Sequence, residues 1–373
     1  MKRLVALAIV VVVSLLASAA AGADDGLERI VVTDDGTHFA GAESGKKFTA
    51  WGFNYTHNRS GKLMEDFWTD DWETLAGDFR EMKALGANVV RIHLQTTKIM
   101  TARDRPDPAA LKQLARLVKL AEKTKLYLDV TGLACYKKQR VPKWYSVLGE
   151  SDRWDVQARF WEAVAKTCAK SNAVFCYDLM NEPILPGKKK APGWLTGEFS
   201  GFTFVQRISL DLAGRTRRQV ARAWVDKLAG AIRKHDKKTL VTVGVIPWAY
   251  AFFPNAGKPI FYADRVDDKL DFVSVHFYPK KGDVDNALAA LKCYDVGKPI
   301  VIEETFTLHC GVKDFDAFVD GSRKIADGWI AHYFGSTIEE YEKRKGTLAD
   351  AIHKAFLVYF KKKTPEILGA TKP

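Results

Sequence analysis

Two glutamates in this chain of 373 residues follow directly on apolar runs, and carboxyl groups in such positions can do acid–base or nucleophilic chemistry. The first is Glu182, in the stretch AVFCYDLMNEP at residues 173–183. A short apolar run favours a buried strand, and Pro183 cannot continue a sheet ladder, so Glu182 is predicted where strand becomes loop. The second is Glu304, which closes the run KPIVIEE. Asn-Glu-Pro alone is equally consistent with a turn that merely ends a strand. The residues at the ends of the other predicted strands must therefore decide between a turn and a catalytic position.

Polar side chains are predicted at the ends of further strands. Cleavage of a glycosidic bond needs one carboxyl to protonate the leaving oxygen and a second to attack or to activate water, while aromatic faces hold the sugar rings. The combination of side chains at these ends therefore indicates glycosidic bond cleavage. They are Asn54, Arg91, Thr131, Asn181 with Glu182, Trp248, His276 with Tyr278, Glu303 with Glu304, and Trp329.

The elements that must position these residues alternate between strands and helices. Most predicted strands are continuously apolar, as is typical of parallel strands covered on both faces. At this length the pattern predicts an α/β fold, a (β/α)8 TIM barrel, with its active site at the C-terminal strand ends. A doubly wound sheet is the alternative, but no Gly-x-Gly-x-x-Gly or Walker-type loop follows a strand. The predicted strands are residues 48–53, 87–94, 126–130, 173–180, 240–246, 272–277, 299–302 and 328–330.

Local signals add detail to this plan. Residues 29–53 are predicted to form an N-terminal β-hairpin with a turn at Asp34-Asp35-Gly36. Asp107 and Pro108 are predicted to open the second helix, Ser151 or Asp152 to cap the third, and a capping box at residues 347–350 to begin the last. Residues 185–215 are predicted to be a long loop.

Residues 1–23 have the pattern of a secretory signal peptide. Lys2 and Arg3 precede an apolar run over residues 4–16 and then small residues with Ala-x-Ala spacing. An uncleaved anchor is the alternative, although the run is shorter than the ~20 residues that a membrane span needs. Residues 24–373 show no linker or repeat, so they are predicted to form a single catalytic domain that is secreted or periplasmic and does not contact a membrane.

Charge and cysteine content bear on cofactors and partners. The chain has 57 Lys and Arg against 45 Asp and Glu, a net charge of +12, but the basic residues are scattered, so nucleic-acid binding is not predicted. Five cysteines and eight histidines show no metal-ligand spacing, so neither a metal nor another cofactor is expected. Cys168 and Cys176 could form a disulfide or be buried as small apolar residues. A monomer is expected.

Taken in chain order, five segments resemble the motifs of family 5 glycoside hydrolases, the cellulase and β-mannanase family of retaining (β/α)8 enzymes. They are WGFNY, ANVVRIHL, YDLMNEP, VSVHFYP and KPIVIEETF, and the resemblance covers nearly the whole mature chain. It implies that Glu182 is the general acid/base and Glu304 the nucleophile, acting on a poly- or oligosaccharide.

The resemblance also implies roles for the remaining site residues, six of which are assigned to substrate binding. Asn181 is expected to bind the 2-hydroxyl of the sugar, and Trp329 to stack under the sugar at the cleavage point. Because adjacent strand residues point to opposite faces, Glu303 is expected to face away from the pocket or to make a supporting hydrogen bond. Arg91 and Tyr278 are expected to orient the nucleophile, and His276 to contact the substrate or Glu182. The six substrate-binding residues are Asn54, Arg91, Asn181, His276, Tyr278 and Trp329.

Two positions depart from the family pattern. Thr131 stands where many members have a histidine, and Thr305-Phe306 replaces the usual aromatic residue and glycine after Glu304. The competing hypotheses are a carbohydrate-binding protein on a decayed glycosidase fold and a metal-dependent barrel enzyme. Retention of both Glu182 and Glu304 speaks against the decayed form.

Overall fold

The computed structural model describes residues 26–251, 260–344 and 346–369, which form a (β/α)8 barrel. The signal-peptide prediction lies outside the described residues. The eight predicted strands are confirmed, and we number them β1–β8 along the chain. They are Ala50–Tyr55 (β1), Val89–Gln95 (β2), Tyr127–Ala134 (β3), Val174–Asp178 (β4), Leu240–Thr242 with Gly244–Val245 (β5), Val273–His276 (β6), Ile300–Thr305 (β7) and Gly328–Ala331 (β8).

The barrel closes through β5, which is interrupted at Val243. Its first half pairs with β4 and its second half with β6, both in parallel. The other neighbours are consecutive strands, and β8 returns to pair with β1. Because all eight strands are parallel, their C-terminal ends open on one rim, where the active site of such a barrel lies.

Within the described residues, seven helices of eight residues or more cover the barrel. The predicted caps at Asp107 and Thr347 are confirmed: Asp107 accepts from the backbone N–H of Ala109 and Ala110, and Thr347 forms a capping box with Asp350. The helices are Trp72–Ala84, Pro108–Thr124, Glu150–Cys168, Arg217–Arg233, Val284–Leu291, Val312–Ser322 and Leu348–Leu368.

The third helix begins earlier than predicted. Its N-cap is Gly149, so Ser151 and Asp152 lie inside the first turn and the predicted cap at either of them is wrong. Glu150 and Asp152 are instead acidic residues in the first turn, where the helix dipole favours negative charge. Glu150 also pairs with Arg215 at 2.7 Å, which fixes the start of the helix against the chain that leads to the fourth.

Residues 185–215 contain a β-hairpin rather than a long loop. Strands Leu195–Phe199 and Phe202–Arg207 pair in antiparallel fashion and are joined by Ser200 and Gly201. Both turn residues have positive φ, 49° and 73°, as a two-residue hairpin turn with the native strand twist requires. The Ser-Gly pair flanked by aromatic residues is the sequence signal that the prediction missed.

A small N-terminal sheet covers the end of the barrel opposite the rim. Strands Ile30–Val32, Phe39–Gly41 and Lys47–Phe48 pair consecutively. The predicted N-terminal hairpin is confirmed, but its return strand is Phe39–Gly41, and residues 50–53, which were predicted to end the hairpin, belong to β1. Phe39 packs edge-on against Phe175 and Phe272 at ring-centroid distances of 5.2 Å. This end is sealed by apolar side chains, so the polar chemistry belongs to the other end.

Two further sequence hypotheses concern cysteines and membranes. Cys168 and Cys176 are both buried and unpaired, so burial, rather than a disulfide, accounts for them. Among the described residues, no helix has the length and apolar character needed to cross a membrane.

Candidate active site

Glu182 lies in the loop just beyond β4, at the rim. Its φ of 48° is in the left-handed region, which an L-residue adopts at a cost unless its surroundings hold it there. A hydrogen bond from its backbone N–H to the carbonyl of Gly244 (2.9 Å) holds this conformation, and Pro183 then continues into a short strand. The side chain is 18% exposed and its Oε1 lies 2.9 Å from Nδ1 of His276. One carboxylate oxygen thus has a fixed partner at the mouth of the barrel.

Glu303 and Glu304 both point into the barrel, so the prediction that they face opposite ways is wrong. The two carboxylates contact the same guanidinium, that of Arg91, at 3.4 Å and 2.8 Å. The cause is a β-bulge: β7 carries an extra residue between its pairings with Val275 and His276 of β6, and the register with β8 shifts at the same place. A bulge breaks strand alternation and re-aims a side chain, which the sequence pattern does not reveal.

Glu304 is held as an anion by the groups around it. Its Oε1 accepts from Nη1 of Arg91 at 2.8 Å, and its Oε2 accepts from the Tyr278 hydroxyl at 2.7 Å. Burial alone raises a carboxyl pKa, but the charges of His276 and Arg91 and a hydrogen bond from His332 outweigh it and hold the pKa of Glu304 well below its usual range. Carboxylate oxygens of Glu304 and Glu182 lie within 4.8 Å of each other.

Arg91, on β2, is the fully buried centre of the site and organises its acidic residues. Besides both β7 glutamates, it donates to Oδ2 of Asp178 at 2.8 Å and to Oδ1 of Asn181 at 3.0 Å. Its Nη1 also donates to Oδ1 of Asn54 at 2.9 Å, and Nδ2 of Asn54 donates to the backbone carbonyls of Glu303 and Ala331. Because a guanidinium keeps its charge and its planar geometry, Arg91 fixes the positions of these groups without exchanging protons.

His276, at the end of β6, lies among three carboxylates. Its Nδ1 faces Glu182 at 2.9 Å and Glu304 at 3.6 Å, and its Nε2 faces Glu303 at 3.6 Å. Burial lowers the pKa of His276, but Glu304, Glu182 and Glu303 outweigh burial and raise it to about 10. The imidazole is therefore a cation at neutral pH that donates to Glu182.

A second acidic layer lies beneath the site, inside the barrel. Burial raises the pKa of Asp129 well above its usual range, and the neighbouring Glu303 raises it further, which favours the protonated form of Asp129. Burial also raises the pKa of Glu303, but Arg91 and His276 outweigh it and lower it to about 2. Gly244 leaves the space that this layer fills, since a Cβ there would lie 2.4 Å from Oε2 of Glu303.

The six predicted substrate-binding residues differ in their exposure and in the protein groups that they contact. Tyr278 is part-exposed beside Glu304, where a substrate can reach it. Asn54, Arg91 and His276 are at most 1% exposed and engaged with protein groups. Arg91 contacts Glu304 and His276 contacts Glu182, as expected of residues that orient the two carboxylates. Direct contact of these three residues with a substrate stays a prediction. Asn181 is also 1% exposed, and its Nδ2 donates to the Phe204 carbonyl at 3.2 Å, so binding a sugar hydroxyl would require that long bond to yield.

Trp329 does not face the pocket, and the prediction that it stacks under a sugar is wrong. It is 2% exposed, and its indole N–H donates to Oγ of Ser322 at 2.9 Å, in the helix layer outside the barrel. Strand alternation places its neighbour Ile330 in the barrel interior instead. The part-exposed residue at the end of this strand is His332, whose Nδ1 lies 3.4 Å from Glu304 and 2.8 Å from the Tyr278 hydroxyl. His332 was not among the predicted site residues, although a histidine directly after the last predicted strand was a signal for it.

The two departures from the family pattern have structural roles. Thr131 donates from Oγ1 to Oδ2 of Asp178 at 2.9 Å, so it helps hold the acidic residue that faces Arg91. Phe306 packs against Phe356 and His353 at ring-centroid distances of 4.7 Å and 4.9 Å. Neither residue carries a proton or a nucleophile in the site.

Glu182, His276 and Glu304 have ligand atoms within 4.8 Å of one another, a spacing that could hold a metal ion. In the structure the same groups form an ion-pair network, in which His276 lies within 3.6 Å of three carboxylates and Arg91 contacts Glu304 at 2.8 Å.

A (β/α)8 barrel with two facing glutamates at its rim has the architecture of a glycoside hydrolase. A family model described as "Cellulase (glycosyl hydrolase family 5)" matches residues 42–333, and the chain therefore belongs to this family of glycoside hydrolases. The resemblance noted from the sequence is thereby confirmed.

Individual relatives are similar over part or most of the chain. Mannan endo-1,4-beta-mannosidase A of Emericella nidulans is 26% identical over 162 residues, 41% of this chain and 35% of that protein. The exo-beta-1,4-mannosidase Op5Man5 from Opitutaceae bacterium strain TAV5 has a similar structure, with a TM-score of 0.65, 16% identity, and coverage of 91% of this chain and 63% of that one. The catalytic domain of Thermobifida fusca endoglucanase Cel5A superposes with a TM-score of 0.60, 15% identity, and coverage of 90% and 97%. The chain thus spans about a third of the curated relative and under two thirds of the first structural one.

Proposed function

We propose that this protein is a retaining β-glycosidase that hydrolyses a β-linked glucan or mannan-type polysaccharide or oligosaccharide through two glutamates. The observation that carries the proposal is the spacing of Glu182 and Glu304, whose carboxylate oxygens lie within 4.8 Å of each other. Retaining enzymes hold their two carboxyl groups at about 5–5.5 Å, whereas inverting enzymes need roughly 6.5–9.5 Å to admit a water. The predicted signal peptide at residues 1–23 supports action outside the cytoplasm.

Glu304 is the nucleophile in this proposal. Arg91 and Tyr278 fix its two oxygens and keep it ionised, so it can attack the anomeric carbon and form a glycosyl-enzyme ester. The attack is helped by the fact that no proton must first leave the carboxyl. Tyr278 and His332 form the part-exposed edge of the site, beside the sugar that Glu304 attacks.

Glu182 is the general acid/base. His276 donates to its Oε1, which leaves Oε2 to carry the proton to the departing oxygen. Once the leaving group has gone, the same carboxylate can accept a proton from the water that hydrolyses the ester, and its proton is restored for the next cycle. The strained backbone of Glu182 keeps this side chain at the pocket mouth rather than in the strand.

The test of this function is release of reducing sugar from a panel of β-glucans, mannans and aryl β-glycosides. We expect hydrolysis of at least one β-linked glucose or mannose substrate, and retention of configuration at the anomeric carbon when the first product is observed by NMR. An inverted first product would contradict the double displacement. Binding of the polysaccharides without any hydrolysis would favour the alternative of a carbohydrate-binding protein.

The dependence of kcat/KM on pH should be bell-shaped for an oligosaccharide substrate, because Glu304 must be ionised and Glu182 protonated. The pKa of Glu304 lies well below its usual range, so the acid limb should fall below about pH 4. The pKa of His276 is raised to about 10, so His276 stays charged and contributes no limb near neutral pH. The alkaline limb then reflects the acid-catalysis step, because the leaving oxygen must receive a proton.

This pH dependence can be measured from about pH 3 to pH 9, with an aryl glycoside that has a good leaving group as the matched control. The leaving group of that substrate departs without a proton. The alkaline limb of its pH profile should therefore disappear, while the acid limb remains. A profile for the oligosaccharide that stays flat from about pH 4 to pH 9 would rule out the two-carboxylate account.

A further inference from the structure

A continuous row of aromatic side chains stands beyond the C-terminal ends of the strands. The ring of Tyr333, after β8, lies 4.6 Å from that of His57, after β1, and His57 stacks on Phe202 of the hairpin at 4.8 Å. Phe202 stacks on Phe204 at 5.7 Å, and Phe204 meets Tyr136, after β3, at 4.9 Å. We call these five residues the aromatic wall.

The hairpin that supplies Phe202 and Phe204 leaves the barrel after β4, yet Phe202 contacts the loop after β1. Because β1, β2, β3 and β4 are consecutive neighbours in the barrel, the hairpin must cross in front of the ends of β2 and β3 to reach it. The aromatic wall therefore runs along the rim from β8 past β1 to β3, on one side of the paired glutamates.

The hairpin is fastened to the rim along its length. The backbone N–H of Thr203 donates to the Tyr136 carbonyl at 2.9 Å, and Nε2 of Gln206 donates to the Leu133 carbonyl at 2.7 Å. Phe202 forms a small buried cluster of its own with Leu63, Ala134 and Tyr136. Backbone pairing and apolar burial at the same interface indicate a fixed part of the fold rather than a mobile lid.

Phe202 acts as a barrier and not as a surface on which sugars stack. Its ring is stacked on His57 with an interplanar angle of 13°, and the ammonium group of Lys137 lies 3.6 Å from its centroid. Because protein groups already occupy the faces of this ring, a sugar cannot use them without displacing one. A cleft that accommodated a long chain on this side would have to pass through packed rings.

One end of the aromatic wall lies close to the proposed nucleophile. It begins at Tyr333, the residue directly after His332, and His332 contacts Glu304 at 3.4 Å. In the proposed mechanism the sugar bonded to Glu304 is the one on the non-reducing side of the cleaved bond. A chain that continued beyond that sugar toward the wall would meet packed rings.

We infer that the site accepts β-linked chains by their non-reducing end and acts as an exo-glycosidase. This inference rests on the proposed function and specifies its substrate as the chain terminus. Because the wall closes the non-reducing side of the site, only a short terminal sugar unit fits on that side. The leaving-group side stays open and accepts a chain of any length. A single small sugar product is the consequence, in place of the mixture that internal cleavage generates.

The test compares viscosity with reducing ends during hydrolysis of soluble mannan and of a soluble mixed β-glucan by the wild-type protein. We expect reducing ends to accumulate with little loss of viscosity, and one small sugar to dominate chromatograms from the earliest time point. A steep fall in viscosity with few reducing ends, and a ladder of oligosaccharides, would overturn the exo inference while leaving the glycosidase proposal intact. Hydrolysis of neither the polymers nor oligosaccharides would instead refute the proposed function.

Variants locate the cause of the specificity. Phe202→Ala should open the wall and raise the viscosity loss per reducing end several-fold, whereas Phe199→Ala, on the 60% exposed side chain near the hairpin tip, should leave the ratio at the wild-type value. Tyr333→Ala tests the other end of the wall if Phe202→Ala lowers the yield of folded protein. If circular dichroism shows folded Phe202→Ala and Tyr333→Ala and both keep the wild-type ratio, the wall does not determine the mode of action.

Discussion

Replacing Glu304 by alanine is expected to abolish turnover of every substrate, with a loss on the order of 10⁴-fold or more in kcat, because no covalent intermediate can form. Glu182→Ala should lose about 10²–10⁴-fold on glycosides with poor leaving groups, which need a proton from the acid. On aryl glycosides with good leaving groups, however, Glu182→Ala should still form the glycosyl-enzyme. Stopped-flow release of the aryl group measures that first step separately from turnover.

Added azide separates the two roles by stereochemistry. It should rescue Glu182→Ala and give a β-glycosyl azide with retained configuration, since azide takes the place of water against the intermediate. Rescue of Glu304→Ala, where azide enters the space of the lost carboxylate, should give the inverted product. Glu303→Gln is the matched control on the neighbouring residue: Glu303 is fully buried below the pocket, so its loss should cost far less than Glu304→Ala. If Glu303→Gln were inactive and Glu304→Ala close to wild type, the nucleophile would be misassigned by one residue.

Arg91→Met should lower the free energy of unfolding at pH 7 by about 3–5 kcal/mol, because it leaves buried carboxylates without their cation. The partners most affected are Glu303 and Glu304, whose pKa values Arg91 helps to depress. A carboxyl with a depressed folded-state pKa contributes stability above its unfolded pKa and loses it as pH falls through the folded value. The difference between wild type and Arg91→Met should therefore be largest near neutral pH and shrink below about pH 5, as urea unfolding at several pH values would measure.

Arg153 provides the matched control for this experiment. It is also buried, at 1% exposure, but within the described residues its contacts are the Tyr145 carbonyl at 3.0 Å and the rings of Tyr145 and Trp194. Arg153→Met should thus destabilise the protein by an amount that changes little with pH. Equal pH dependence in the two variants would show that Arg91 acts by packing and not by neutralising the carboxylates.

Much of the barrel follows from local properties of the sequence. Continuously apolar runs separated by helical periodicity predict all eight strands, because strands covered on both faces need no polar alternation. The caps at Asp107 and Thr347 follow from side chains that bond the first turn of their own helix. Glu182 is identified in the same way, because it follows an apolar run, and the strand formed by that run ends at Asp178, just before the rim loop.

What the sequence by itself determined was thus the order of the elements and the identity of the two glutamates at their ends. The directions of the side chains required the tertiary structure. A bulge in β7, visible only in its register with β6 and β8, turns both Glu303 and Glu304 toward Arg91. Strand alternation within the closed barrel sends Trp329 to the helix layer. The aromatic wall was likewise invisible in the sequence, because His57, Tyr136, Phe202 and Tyr333 come from four separate loops and meet only when the barrel closes and the hairpin crosses its rim.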